Sequence, residues 1–311
     1  MKKILITGGA GFVGSVLTPM LLGDGYRVRI YDNLTFGLNG IIGCFNDPKF
    51  EFVNGNISDR KSLASAADGC DAVVHLAAQV GFPVCKRDPD EAWKTNVLGT
   101  RLLTEVIEDD VPLIFASTGS VYGKLSEICT EESPTEPLTV YGKSKLKAEN
   151  WVRRRENSVV LRFATAFGIS PRMRLDLLVN DFCFKALRER NLIVYEKSYK
   201  RTFLYITDMA NALVFAIENF DEMKGEIFNV GDKRMNCSKE DVAELIKKKE
   251  QYYLHYVESK VFHDEDERNY EVDYSKINDL GFTTEVSIEK GIDKLLNFFQ
   301  HFDVEKEYSN A

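Results

Sequence analysis

The sequence predicts an α/β chain: a parallel, doubly wound sheet followed by a smaller C-terminal α+β lobe. Three observations carry that expectation. Short, nearly all-apolar runs alternate with helix-length segments through the first half, the pattern of strands covered on both faces of a parallel sheet. A glycine-rich turn follows the first of those runs and leads straight into a helical segment. Beyond about residue 165 the alternation gives way to longer helical stretches joined by loops.

The expected strands are "KILIT" (3–7), "RVRIYD" (27–32), "FEFVNG" (50–55), "DAVVHLAA" (71–78), "PLIFAS" (112–117) and "SVVLRFA" (158–164). Helices are expected over 12–23, 59–68, 90–108 and 141–156. Pro19 lies inside the first and predicts a kink, because its ring removes a backbone donor and crowds the preceding turn. Further on, "SPRMRLDLLVNDFCFKALRER" reads as a loop running into a helix. "TDMANALVFAIENF" sets Met209, Ala212, Leu213, Ala216, Ile217 and Phe220 on one helical stripe. "EIFNVG" (226–231) is another strand, and Ser238 with Asp241 has capping-box-like spacing. Residues 1–165 are thus expected to form the first domain, with 201–232 partly returning to it, and 166–311 mainly a second lobe.

At 311 residues the chain buries a large core, and 44% hydrophobic with 28% charged residues is ordinary for a globular protein. A net charge of −8 argues against nucleic acid as the main partner. No apolar run approaches the ~18 residues of a membrane span, and Gly8 and Gly9 cut the apolar opening too short for a signal peptide. Six scattered cysteines and four scattered histidines form neither CxxC nor HxxxH, so reduced thiols, a cytoplasmic protein and no metal are expected.

"LITGGAGFVG" supplies the first chemistry. Gly8, Gly11 and Gly14 make G-x-x-G-x-x-G between a strand and a helix, a turn that brings backbone amides close to a pyrophosphate. Phe12 and Val13 lie within it, and Asp32 ends the second strand eighteen residues past Gly14, followed by Asn33. A carboxylate there accepts from both hydroxyls of an adenosine ribose and repels a 2′-phosphate, which favours NAD over NADP.

"VYGKSK" (140–145) supplies the second. Tyr141 and Lys145 stand one helical turn apart, an active tyrosine with its cation or an exposed aromatic beside an exposed lysine. "YVESK" repeats the spacing at Tyr256 and Lys260, so spacing alone does not choose between the two pairs.

These motifs together resemble the short-chain dehydrogenase/reductase superfamily in its extended, nucleotide-sugar-modifying branch, whose first domain is a Rossmann fold. The resemblance covers nearly the whole chain. "GNISD" (55–59) is similar to the adenine-contacting D-x-x-D segment, with Asn56 in place of the usual Asp and Ile57 beside it. "HLAAQVG", with Leu76, Ala77 and Ala78, resembles the segment beneath the cofactor, and "NVLGT" supplies Asn96 where the family has a site-organising asparagine. "FASTGSVYG" resembles the family's hydroxyl-bearing strand end. It implies Thr118 as the catalytic hydroxyl, with Ser117 and Ser120 beside it. Only Tyr141 and Lys145 follow such a strand end at the family's interval, so they are the pair expected to act. An unperturbed tyrosine is phenolate about once in a thousand at pH 7, and bringing it to neutrality takes about 4 kcal/mol of anion stabilisation. Lys145 and the oxidised nicotinamide ring are expected to supply it.

For the substrate end, the resemblance implies Arg201 in "KRTFLYITD" on a nucleotide diphosphate. It offers Arg172, Arg174 and Asn180 in "SPRMRLDLLVNDF" and Arg268 in "DEDERNY" for phosphates or base. Thr165 replaces a usual asparagine, and His263 stands where an arginine is common. Gly119 and Ser120 follow Thr118, where the 4,6-dehydratases carry an Asp–Glu pair, so elimination of water is not expected. What remains is hydride chemistry at C4 of a nucleotide sugar. "VGFPVCKRDP" (80–89) and "GISPRMRLDLLVNDF" (168–182) resemble a subgroup oxidising GDP-heptoses, making a 4-dehydrogenase the first reading and a UDP-hexose-type 4-epimerase the alternative. An NAD-binding sensor or scaffold is the non-enzyme alternative. A homodimer is implied through helices 90–108 and 141–156.

Overall fold

The computed structural model describes residues 2–124, 127–258, 270–302 and 310. The first domain opens with β1 (Lys3–Thr7), α1 (Gly14–Gly23), β2 (Arg27–Asp32), β3 (Phe50–Asn54) and α2 (Arg60–Ala67). It continues through β4 (Ala72–His75), α3 (Phe82–Arg87), α4 (Pro89–Trp93), α5 (Thr100–Val106), β5 (Leu113–Thr118), α6 (Val140–Val152) and β6 (Ser158–Phe163). Next come β7 (Thr165–Phe167), α7 (Leu178–Phe184), β8 (Asn191–Tyr195), β9 (Lys200–Tyr205), α8 (Ile206–Glu218), α9 (Phe220–Met223) and β10 (Ile227–Val230). The chain then forms β11 (Asn236–Ser238), α10 (Lys239–Lys247), β12 (Tyr253–Val257), α11 (Ser275–Asp279) and α12 (Ile288–His301).

Seven parallel strands form the main sheet in the order β3-β2-β1-β4-β5-β6-β10. Side-chain alternation divides β1 between two cores. Ile4 and Ile6 join Leu17, Leu21 and Leu213 on one face, while Leu5 joins Leu63, Leu103 and Ala148 on the other. Helices α1 and α8 pack together over the first face, and α5 packs on α2 and α6 over the second. The strand order reverses between β1 and β4. A crevice opens there at the carboxyl ends of the strands, where open α/β sheets bind ligands.

Helix α1 runs unbroken through Pro19, whose side chain faces solvent, so the expected kink does not end the helix. The expected helix over 90–108 is α4 and α5 joined by a π-helical turn, Lys94–Gly99, which carries Asn96. Thr139 caps α6 by accepting from the Gly142 amide at 3.1 Å, fixing where the helix bearing Tyr141 and Lys145 begins.

In the second lobe β9 lies between β7 and β11, and β12 pairs with β8 in a separate two-stranded ribbon. The Ser238–Asp241 capping box starts α10. The lobe shares the first core rather than owning one: Phe167, Phe203, Ile246 and Phe299 belong to the same apolar cluster as Ile4 and Leu17. Among the described residues no helix is long and apolar enough to cross a membrane, and no cluster of metal-ligating side chains occurs. Five of the six cysteines are buried and all are unpaired.

Candidate active site

A cleft of about 490 Å³ lies along the carboxyl ends of β1, β2, β4 and β5 and runs into the second lobe. Its near end is the glycine turn. Gly8 has φ +72°, and a Cβ there would come within 2.6 Å of the Ala77 amide, so only glycine lets the turn sit this close to the end of β4. At Gly11 a Cβ would meet nothing closer than the Gly8 carbonyl at 3.2 Å and would instead fill open space in the cleft. The amides of Phe12 and Val13, at the entrance to α1, have no hydrogen-bond acceptor among the described residues.

Asp32 faces the same end, its carboxylate accepting from the amides of Ala10 at 3.0 Å and Leu34 at 2.8 Å. Burial pushes its pKa up, and those two donors hold it back. Asn33, Asn56, Ile57, Leu76, Ala77 and Ala78 also line the cleft. The Asn56 side-chain oxygen, expected to face adenine, already accepts from the Ser58 amide at 3.0 Å and hydroxyl at 2.8 Å.

Thr118, Ser120, Tyr141 and Lys145 meet at the middle of the cleft. The Thr118 hydroxyl donates to Ser120 Oγ at 3.1 Å and accepts from the Ser120 amide at 3.2 Å. Ser117 lines the wall, but its hydroxyl turns away to donate to Glu149 at 2.8 Å. Tyr141 is half-buried, whereas Lys145 is 3% exposed. The Lys145 ammonium lies 4.1 Å from the Phe115 ring centroid, and nothing among the described residues hydrogen-bonds it. Burial pushes its pKa down to about 7, against the upward pull of the Glu149 carboxylate one helical turn on. Glu149 is itself fully buried, paired with Arg162 at 2.6 Å.

Two asparagines named from sequence do not line the cleft. Asn96 is buried, its oxygen accepting from the Gln79 amide and its nitrogen donating to Gln79 O and Ser144 Oγ, so it fastens the β4 loop to α6. Asn180 is buried too, bonded to the backbone of Gly168 and Arg174, and it shapes the loop that presents the arginines. Both amides are consumed within the protein, Asn180 by backbone and Asn96 by backbone and the Ser144 hydroxyl. Tyr256 lies on strand β12, not a helix, and donates to Glu244 at 2.8 Å, outside the cleft lining. Lys260, His263 and Arg268 lie outside the described residues.

Thr165, Arg172, Arg174 and Arg201 of the second lobe also line the cleft, and all three arginines are buried. Arg174 pairs with Asp176, with its Nε 3.2 Å from the carboxylate. Sequence reasoning missed Phe36, Gln79, Asp176 and Lys239. Gln79, Asp176 and Lys239 fell within stretches already singled out for other reasons, and nothing in the local pattern of Phe36 marks it as facing the cleft.

A family model described as "NAD dependent epimerase/dehydratase family" matches residues 4–231. The chain belongs to that family. UDP-glucose 4-epimerase of Halalkalibacterium halodurans is 32% identical, with 74% of this chain and 75% of that protein aligned. UDP-glucuronic acid 4-epimerase of Bacillus cereus, solved with UDP-glucuronic acid and NAD, superposes with TM-score 0.85 at 26% identity, covering 96% of this chain and 99% of that one. dTDP-glucose 4,6-dehydratase of Bacillus anthracis, solved with NAD, superposes with TM-score 0.83 at 25% identity over 99% of each chain.

As a member of this NAD-dependent epimerase/dehydratase family, the chain is an enzyme and its cofactor is NAD. The residues present fit that dinucleotide. Open space over Gly11 and two unengaged amides at the start of α1 suit a diphosphate, and Asp32 suits an unphosphorylated ribose. A buried ammonium without a hydrogen-bond acceptor among the described residues suits hydroxyls of the second ribose.

Proposed function

We propose that this enzyme is a 4-epimerase of a UDP-activated sugar. One observation carries the reading: beside Thr118, Tyr141 and Lys145, the only carboxylates among the described cleft-lining residues are Asp32 and Asp176. Asp32 is held by the amides of Ala10 and Leu34, and Asp176 is paired with Arg174. No second acid–base pair is therefore available to expel water or a carboxyl group, which leaves hydride chemistry at one carbon.

Tyr141 serves as the base that takes the C4 hydroxyl proton and later returns it, and Lys145 stabilises its phenolate. Thr118 and Ser120 orient the reacting hydroxyl. NAD supplies the acceptor for the C4 hydride and the means of returning it. Arg201 and Arg174 serve the substrate diphosphate and sugar. Similarity to UDP-sugar 4-epimerases favours this outcome over the GDP-heptose 4-dehydrogenase read from sequence, and retention of all three catalytic groups argues against a sensor.

The test is incubation with UDP-, GDP-, CDP- and dTDP-sugars followed by mass spectrometry. A UDP-sugar converted to an isomer of unchanged mass, and not converted by Tyr141→Phe, is the expected result. A two-dalton loss with matching reduction of added NAD would make the enzyme a dehydrogenase instead. Unaltered activity of Tyr141→Phe would remove the assigned base.

A further inference from the structure

We propose that Arg172, although carried by the second lobe, binds the diphosphate of NAD and not that of the sugar nucleotide. Its segment is stapled to the dinucleotide turn. Ser170 Oγ donates to the Phe12 carbonyl at 2.7 Å and lies 2.8 Å from Ser15 Oγ, and the Arg172 amide donates to Ser15 Oγ at 3.4 Å. Gly40 permits this junction. A Cβ there would sit 3.0 Å from Ala10 O and Ser15 Cβ and 3.1 Å from Arg172 Cβ. The backbone of residue 172 is thereby held against the first turn of α1, beside the unengaged amides of Phe12 and Val13.

The side chain completes the case. Its guanidinium carbon lies 4.0 Å from the centroid of the Phe36 ring, in the loop that follows Asp32. Arg172 is 4% exposed, and it spends one nitrogen on the Met173 carbonyl at 3.1 Å. The other terminal nitrogen is buried and has no partner among the described residues. Asp176, the carboxylate whose charge acts on it, is taken by Arg174, whose own charge adds to burial in pushing Arg172 down to about 10. A desolvated guanidinium with an unused donor needs an anion. It stands between the loop after Asp32 and the entrance to α1, so the anion within its reach is the diphosphate that joins the two halves of the dinucleotide. The inference rests on the NAD site alone and not on which sugar reacts.

The experiment is calorimetric titration of the nucleotide-free protein with ADP-ribose and, separately, with UDP and GDP. Arg172→Gln is expected to weaken ADP-ribose binding roughly tenfold to hundredfold, the range of a lost charge-assisted hydrogen bond. UDP and GDP are expected to bind within about twofold of the parent, and Arg172→Lys to recover part of the loss because it keeps charge without the fork. Should Arg172→Gln fold poorly, Phe36→Leu keeps the guanidinium and removes its platform, and the same selective weakening is expected. ADP-ribose affinity unchanged in a folded variant, or UDP and GDP weakened as much as ADP-ribose, overturns the proposal. Failure of every sugar to react would defeat the epimerase reading and leave this result standing.

Discussion

Replacing Lys145 with methionine should stabilise the cofactor-free protein while stopping turnover, and the size of the effect should depend on pH. Burial holds the folded-state pKa of Lys145 at about 7, against an ordinary 10.5. A base depressed in this way carries its full penalty below pH 7, where it must be charged in both states. The penalty fades as pH rises towards 10.5, because the unfolded chain then holds more protons than the folded one, so this group makes stability rise with pH across that window. From those two values the penalty falls by about 2 kcal/mol between pH 7 and pH 9. For a chain of 311 residues that corresponds to about 3 °C in melting temperature. Melting curves of the parent and Lys145→Met at pH 7, 8 and 9, after removal of bound nucleotide, read it directly. The variant should lead by most at pH 7 and by about 3 °C less at pH 9. Parallel curves would mean that Lys145 is not held in a depressed state, and the electrostatic account of the reaction centre would fall with it.

Two further substitutions test the surroundings. Asp32→Asn keeps one acceptor for the Ala10 and Leu34 amides but loses the charge facing the ribose, so NAD should bind roughly tenfold more weakly and the preference over NADP should shrink; fluorescence titration with both dinucleotides reads the ratio, and an unchanged ratio refutes the role. Glu149→Gln leaves the Arg162 guanidinium, 3% exposed, without its carboxylate. Such a break costs about 3–5 kcal/mol, so melting should drop by several degrees, and a fall under about 1 °C would show that Arg162 finds another partner.

Strands of the main sheet were legible because burial on both faces writes them as continuous apolar runs. "KILIT" and "RVRIYD" match β1 and β2 at both ends. The second-lobe strands were not, for a physical reason. β7 and β11 are three residues each, β8 buries only alternate side chains and β12 only half-buries them, so "YLHYV" carries no strong apolar signal. The glycine turn and Tyr141–Lys145 could be read because each is a local pattern tied to an element boundary. Asn180 was read as facing ligand because an amide's partner is set by which backbone groups the fold leaves unpaired, and a linear motif does not record that. The position of Arg172 depends on contacts spanning 157 residues to Ser15, which no window of sequence contains.

The shared core bears on how the proposed reaction could run. Epimerisation requires that the oxidised sugar offer its opposite face to the same hydride donor, so either the walls of the cleft or the sugar must move. Here the walls are one body. The apolar cluster that begins at Ile4 and Leu17 continues through Phe167, Phe203 and Phe299. Ser170 ties the second lobe to the Phe12 carbonyl. Parting the lobes would expose that core at about 25 cal/mol per Å², a cost that grows far faster than any gain from freeing a sugar ring. The rearrangement must then belong to the sugar, pivoting about a diphosphate held at the far end. Two small residues of the cleft lining suit this. Gly81, with φ +102°, contributes no side chain, and Thr165 stands where a longer amide is usual. In the proposed reaction, a shared frame around the cleft would let one tyrosine and one lysine serve both faces of the same carbon without moving themselves.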